Sequence, residues 1–299
     1  MAPSKRSPAF TLLEILAAMA VFVLLLVLVT QISGQTMAVI SASQRRVEAL
    51  QSARTVLDSM GSDLANLVRR HGGVLIAGQS PSEYTPPSDS MAFVCASRPH
   101  AGVGNPADVR FLAISVGVRL FENKVIGVTG EIMPMVSKGV GPVPWNGNFA
   151  HFSNAAASAA NALEGPAGIT DISEPLSEGV FRMEVVYLLN DGSITPNPPA
   201  LVNFASTPAL GPGTTAVDLS RVRAIIVAVA ALDKTTLRLV ADAGEFQKLA
   251  EAFPALTELN KTPMQLWSST PLPDSLPKRV KENLRVLQRT FYLPSGGRS

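Results

Sequence analysis

The sequence has few of the residue types from which most enzyme sites are built. Its single cysteine, Cys95, excludes an internal disulfide, and a free cysteine is most often a small buried hydrophobic residue. The three histidines, His71, His100 and His151, have no second ligand at the spacing of metal sites. Phosphate loops, the G-x-S-x-G motif and the H-E-x-x-H motif are also missing. We therefore expect no enzyme activity, no cofactor and no bound metal.

Charged residues are scarce as well, at 16% of the chain, against about 25% in a typical globular protein. The net charge is +2 and no block of like charge stands out, so a nucleic-acid partner is not expected. Apolar residues are concentrated in the first 40 positions. This uneven distribution indicates a membrane segment attached to an ordinary domain.

A long apolar run begins at Phe10 and reads FTLLEILAAMAVFVLLLVLV, with Glu14 as its only charge. As a helix it would be about 30 Å long, which matches the hydrocarbon thickness of a bilayer. Leu24 to Val29 would be apolar on every side, and a soluble domain rarely surrounds a helix completely. We expect a transmembrane helix over residues 10–30; a buried helix of a soluble domain is the alternative.

The charges on either side of this run predict its orientation. Lys5 and Arg6 precede it, and the next basic residues are Arg45 and Arg46. The positive-inside rule then keeps the N-terminus in the cytoplasm and sends the rest of the chain across the membrane. No convincing small-residue cleavage site follows the apolar core, so we expect the helix to stay on the mature protein. The simplest interpretation of Glu14 is an interfacial acid near the positive end of the helix dipole.

Residues 9–15, AFTLLEI, closely resemble the prepilin-type cleavage and methylation motif of type IV pilins and type II secretion pseudopilins. The resemblance implies that residues 1–9 are a leader removed by the prepilin peptidase between Ala9 and Phe10. Phe10 would become the N-methylated first residue, and Glu14 would pair with the terminal amine of a neighbouring subunit. The family usually has glycine before the cut, where this chain has Ala9, the next smallest residue.

Beyond the apolar run, apolar residues recur at intervals of seven, three and four, as one face of a helix requires. They are Ile40, Val47, Leu50, Leu57, Met60, Leu64 and Leu67. This spacing predicts one helix from about Phe10 to Arg70, amphipathic over residues 31–71, with Gly34 and Gly61 as weak points. The run His71-Gly72-Gly73 would end it. A heptad coiled coil is the alternative.

Residues 72–299 are predicted to form an extracytoplasmic α+β domain with a mainly antiparallel sheet. Strands are expected over 91–96, 109–120, 180–189 (half-buried), within 217–232 and over 289–293, with short helices over 244–253 and from Val280. Residues 139–178 and 195–213, and most of 72–108, are expected to be irregular. The tryptophans Trp145 and Trp267 are expected to cover the core, with partner contact as the alternative.

Three of these segments, VFRMEVVYLLNDG (180–192), SRVRAIIVAVAALD (220–233) and LRVLQRTFYL (284–293), resemble the J-type minor pseudopilins. They resemble more closely the Verru_Chthon cassette protein C family. The resemblance implies a pilin-like fold, in which the long N-terminal helix packs on the antiparallel sheet. It implies a minor subunit that assembles or primes a type IV pilus or type II secretion-like filament. It also implies a single-pass protein of the bacterial inner membrane with a periplasmic C-terminal domain.

The expected partners are the prepilin peptidase, other prepilin-like subunits, inner-membrane lipid and an exported protein cargo. Two further hypotheses remain open. In one, the protein is a membrane-tethered binding protein that never polymerises. In the other, it is an anchored enzyme with an unrecognised site; the local acidic pairs Asp171–Glu174 and Asp242–Glu245 are weak candidates because such pairs are common in loops.

Overall fold

A computed structural model describes residues 12–67, 75–80, 88–96, 109–123, 128–142, 173–200, 215–240, 248–249 and 251–293. The chain divides into two compact units, residues 1–44 and residues 45–299. Several predicted features lie outside the described residues: the leader and cleavage site (Lys5, Arg6, Ala9, Phe10), the three histidines, Trp145, Asp171, the pair Asp242–Glu245, and most of the helix expected over 244–253. For Cys95 the backbone lies in a strand, but its side chain is outside the described part.

Helix α1 runs from Leu12 to Ala65, 54 residues without a break. In the first unit its residues are exposed from Leu12 to Ile40, and an 18-residue window has a mean hydropathy of 3.0. The helix is therefore long and apolar enough to cross a membrane, as expected. Neither Gly34 nor Gly61, the predicted weak points, interrupts it.

The part of α1 in the second unit is amphipathic, as its spacing predicts. Its buried residues are Ala49, Ala53, Val56, Leu57, Met60 and Leu64. The prediction that the helix reaches Arg70 is wrong. It ends at Ala65, where the Asn66 side chain donates a hydrogen bond to the Ser62 carbonyl at 2.8 Å. The Asn66 and Leu67 amides tighten the last turn through i→i−3 bonds to Asp63 and Leu64.

Within the described residues, ten strands form two antiparallel sheets. They are β1 (Leu75–Ser80), β2 (Ser88–Ala96), β3 (Val109–Asn123), β4 (Val128–Pro142), β5 (Ser173–Glu178), β6 (Val180–Leu189), β7 (Ile194–Thr195), β8 (Thr215–Val217), β9 (Val222–Ala231) and β10 (Arg285–Tyr292). Sheet A has the order β5-β4-β3-β2-β1-β8, and sheet B has the order β10-β9-β6-β7. The described part of the chain is thus α+β with mainly antiparallel pairing, as expected.

One stretch of backbone belongs to both sheets. β5 ends sheet A at Glu178, and β6 begins in sheet B at Val180. Gly179 joins them with φ +91°, a conformation that side chains disfavour. Its carbonyl accepts a hydrogen bond from the Leu232 amide at 2.9 Å, and a Cβ at this position would lie 2.3 Å from the Leu232 carbonyl oxygen. The corner therefore requires glycine.

Strands β6 and β9 of sheet B are buried on both faces. On one face, Met183, Val185 and Tyr187 of β6 pack in one cluster with Val56 and Met60 of α1. The opposite face carries a second cluster that short helices cover: α2 (Lys234–Leu237), a 3₁₀ turn (Arg238–Val240), α3 (Pro263–Ser269) and α4 (Lys278–Asn283). The prediction that β6 is half-buried is therefore wrong, because residues 232–284 cover the face expected to meet water.

Several other predictions can be compared with the described residues. The strands expected over 91–96, 109–120, 180–189 and within 217–232 are present, and the helix-to-strand change after Val280 occurs at α4 and β10. The expected irregular segments are wrong where they contain β1, the end of β4, and β5. Helix α3 was not expected. Trp267 covers the core as predicted, at 5% exposure.

Candidate membrane anchor and assembly helix

The first described turn of α1 contains Glu14, the only charged residue of the exposed apolar segment. Its side chain is exposed, and it lies beside a shallow depression on the helix surface lined by Ile15, Ala18, Met19 and Phe22. Among the described residues, no basic side chain forms an ion pair with Glu14. The carboxylate is therefore available to a cation outside this chain's described part.

Three hydroxyl side chains of α1 are satisfied within the helix. The hydroxyls of Thr30, Thr36 and Ser41 donate to the carbonyls four residues earlier, each at 2.8 Å. Such back-bonding removes the cost of an unpaired hydroxyl in an apolar environment. From Ile15 to Val29 the segment has no polar side chain.

An apolar surface of this size is costly in water. Nineteen large apolar side chains from Leu12 to Val47 are at least 45% exposed. At roughly 25 cal/mol per Å² of apolar area, leaving them in water costs tens of kcal/mol. The cost agrees with a segment long and apolar enough to cross a membrane.

The second unit holds a buried polar cluster that the sequence analysis missed. Arg182 and Glu184 on β6 are 1% and 3% exposed, and Arg182 Nη2 lies 2.8 Å from Glu184 Oε2. Glu184 Oε1 also accepts the Leu256 amide at 2.8 Å. Asp89 on β2 accepts the Val185 amide at 2.7 Å. The sequence signal that could have revealed it is the pair of charged residues inside the apolar run VFRMEVV.

Burial dominates the electrostatics of this cluster. It raises the pKa of Asp89 to about 7, with a further contribution from the negative charge of Glu184. Burial also raises the pKa of Glu184, against the lowering effect of Arg182, and the pKa of the Tyr187 phenol. Each carboxylate accepts a hydrogen bond from a backbone amide. The Asp89 carboxylate therefore links β2 to β6, and the Glu184 carboxylate links β6 to Leu256.

The described residues contain no group of three or more His, Cys, Asp or Glu side chains that could hold a metal ion. The chain matches no family model, and no curated protein and no solved structure is significantly similar to it.

Proposed function

We propose that this chain is a prepilin-like minor pilin or pseudopilin. The observation that carries the proposal is the exposed apolar helix with one carboxylate, Glu14, in its first described turn. That carboxylate belongs to the AFTLLEI motif at residues 9–15. The same helix continues into an amphipathic half that packs on an antiparallel sheet, an arrangement that suits a filament subunit with an outer domain.

In this proposal the prepilin peptidase cuts between Ala9 and Phe10 and methylates the new terminal amine of Phe10. The amine of one subunit then pairs with Glu14 of its neighbour. A carboxylate buried between packed helices is strongly unfavourable unless a cation accompanies it. The new amine supplies this cation only after cleavage, so processing and assembly would be coupled.

The same proposal places the protein in the bacterial inner membrane. Lys5 and Arg6 would hold the N-terminus in the cytoplasm, and the domain that follows α1 would lie in the periplasm. There it would contact other prepilin-like subunits or an exported cargo. The apolar surface of α1 would be covered first by lipid and then, in the filament, by like helices.

The direct test is the mass and N-terminal sequence of the protein from cells with and without the peptidase. We expect a mature chain that begins at N-methylated Phe10 when the peptidase is present, and a chain with its leader when it is absent. The variant Ala9→Gly should be processed at least as well, and Ala9→Leu should keep its leader. A protein that retains residues 1–9 in the presence of active peptidase would overturn the proposal.

A further inference from the structure

Strand β10 forms one edge of sheet B, and the outer side of its backbone is open. It pairs with β9 from Arg285 to Tyr292 in one register without a bulge, and the Leu293 amide continues this register with a 3.0 Å hydrogen bond to the Arg223 carbonyl. Because the hydrogen-bonding direction alternates along an antiparallel strand, every second residue of β10 directs its amide and carbonyl away from β9. These residues are Val286, Gln288, Thr290 and Tyr292.

The outward backbone groups of these four residues form no hydrogen bond within the described part of the chain. The only bond printed on their side is to a side chain, the Gln288 amide oxygen, which accepts the Met264 amide at 3.1 Å. Val286, Gln288 and Thr290 are half-buried, and Tyr292 is 67% exposed. The outer side of β10 is therefore accessible, and an accessible edge of unpaired amides and carbonyls is a template for one more strand.

The opposite edge of sheet B is closed. It is formed by β7, where the Asn260 amide donates to the Ile194 carbonyl at 2.8 Å and the Asn260 side-chain oxygen accepts the Ile194 amide at 3.0 Å. Asn260 reaches both groups from the left-handed region, at φ 60°, which asparagine tolerates better than most residues. The outward groups of Ile194 are thus satisfied, whereas those of β10 are not.

Strand β10 lacks most of the features that usually protect a sheet edge, which are proline, a bulge or a very short strand. Charge is the exception, because Arg285 and Arg289 lie on one face of the strand, four residues and about 13 Å apart. Residues 284–293 contain no acidic residue. Pairing of β10 with β10 of a second copy would bring four arginines together, and like charges across neighbouring strands are destabilising.

The same two arginines favour a strand of the opposite charge. Within the described residues, no carboxylate lies within ion-pair distance of Arg285. Arg289 pairs with Asp58 but is 50% exposed, and a guanidinium has more donors than one carboxylate uses. An extended segment with acidic residues four apart would place one carboxylate opposite each arginine.

We propose that the outer edge of β10 binds an extended segment of a partner protein as an added antiparallel strand, with acidic residues opposite Arg285 and Arg289. The pairing is antiparallel because every strand pair in sheet B is antiparallel. Backbone hydrogen bonds would supply the affinity, and the arginines would select an acidic partner against a second copy. This inference goes beyond the proposed function and does not depend on cleavage, methylation or filament assembly.

The probe is a fluorescent nine-residue peptide of threonine and valine with glutamate at its third and seventh positions, opposite Arg289 and Arg285. Fluorescence anisotropy measures its binding to the full chain in a non-ionic detergent. We expect it to bind about tenfold more tightly than the peptide with lysine at those two positions.

N-methylated peptides test the backbone bonds. Methyl groups on the fourth and sixth amides, which would face Gln288 and Val286, should weaken binding by more than about tenfold. Methyl groups on the third and fifth amides, which would face away from β10, should weaken it less than about twofold.

Variants of the chain provide the second comparison. Thr290→Pro removes one outward amide and no bond to β9, a position where an edge strand tolerates proline, and should weaken peptide binding about tenfold. Arg285→Gln should weaken it about threefold. Arg279→Gln, which removes an exposed arginine of α4, is the matched control and should leave it unchanged.

Absence of binding by the glutamate peptide, or equal binding of the two N-methylated peptides, would overturn the inference. Both results are obtained with the unaltered chain, so they stand even if Thr290→Pro fails to fold. Self-association of the chain that Thr290→Pro abolishes would assign the edge to a second copy and overturn the acidic partner. None of these results bears on peptidase processing, so the inference and the proposed function fail separately.

Discussion

The ring of Phe291 lies directly against Gly61, so that α1 and β10 touch where the helix has no side chain. A Cβ at position 61 would be 2.9 Å from Phe291 Cε1. Arg289 covers the other side of the ring, with its guanidinium carbon 5.5 Å from the ring centroid. Phe291 therefore has little room to move, and glycine at position 61 sets the distance between helix and strand.

Gly61→Ala should lower the free energy of unfolding by about 1–2 kcal/mol, because overpacking outweighs the better helix propensity of alanine. Urea unfolding of the full chain in detergent, followed by tryptophan fluorescence, measures the change. Adding Phe291→Leu should relieve the clash, so the double variant should cost less than the sum of the two single variants. Additive costs would contradict the packing described here. Gly34→Ala, with open space around it, should leave this unfolding unchanged.

Gly179→Ala should destabilise the globular unit by at least 3 kcal/mol, because it combines a positive φ with a 2.3 Å contact to the Leu232 carbonyl. Gly192→Ala is a matched control: its φ is +87°, but nothing lies within 4 Å of the added methyl. It should cost only about 1–2 kcal/mol. Thermal unfolding of both variants separates the two effects, and equal losses would show that the clash contributes nothing.

Asp89 should make stability depend on pH. Its pKa is about 7 in the folded protein and near 3.8 in the unfolded chain, so between these values the folded state holds the extra proton. The free energy of unfolding should therefore fall as pH rises from about 4 to 7, by at most about 1.4 kcal/mol per pH unit. Urea unfolding across this range measures the slope.

Asp89→Asn should flatten the slope, since the amide oxygen can still accept the Val185 amide but does not titrate. Asp191→Asn, in the exposed turn after β6, is the control; hydrogen bonds from Ser193 lower the pKa of Asp191, which gives the opposite sign. A slope that survives in Asp89→Asn would assign the pH dependence to other groups.

Glu14→Ala should abolish recovery of partner subunits while membrane insertion continues, because removing a carboxylate makes the apolar helix easier to insert. Co-purification after cross-linking measures assembly, and carbonate extraction measures insertion. Glu14→Asp should retain part of the assembly, and Thr30→Ala, another exposed polar position of α1, should retain all of it. Unchanged partner recovery in Glu14→Ala would favour a tethered binding protein that does not polymerise.

The sequence predicted the elements that are long and periodic and those that are strongly apolar. Helix α1, β6 and β9 belong to this group, and the α4–β10 change followed from a mixed pattern. Helix α3 has seven residues, and only its capping box, in which Thr262 and Gln265 exchange bonds, marks it. Strand β4 contains Gly and Pro, and strand β5 contains Pro. Taken locally, these residues indicate a loop. The second covered face of sheet B depends on distant residues, so no local pattern could reveal it.

The functional residues also include some that the sequence predicted and some that it did not. Glu14 was predicted because a single acid in an apolar run is conspicuous in the sequence. The buried pair Arg182–Glu184 was visible as two charges in an apolar strand, but its burial required knowledge of both covered faces.

The backbone shared at Gly179 has a mechanical consequence. Sheet A and sheet B cannot move independently, because the continuous backbone of β5, Gly179 and β6 passes from the first into the second. A force on sheet A would reach β6 through the backbone at Gly179, whose carbonyl accepts a hydrogen bond from the Leu232 amide, and through the hydrogen bond from the Val185 amide to Asp89. A large partner that binds to β4 or β5 would therefore apply a torque to β6, the strand that packs against α1.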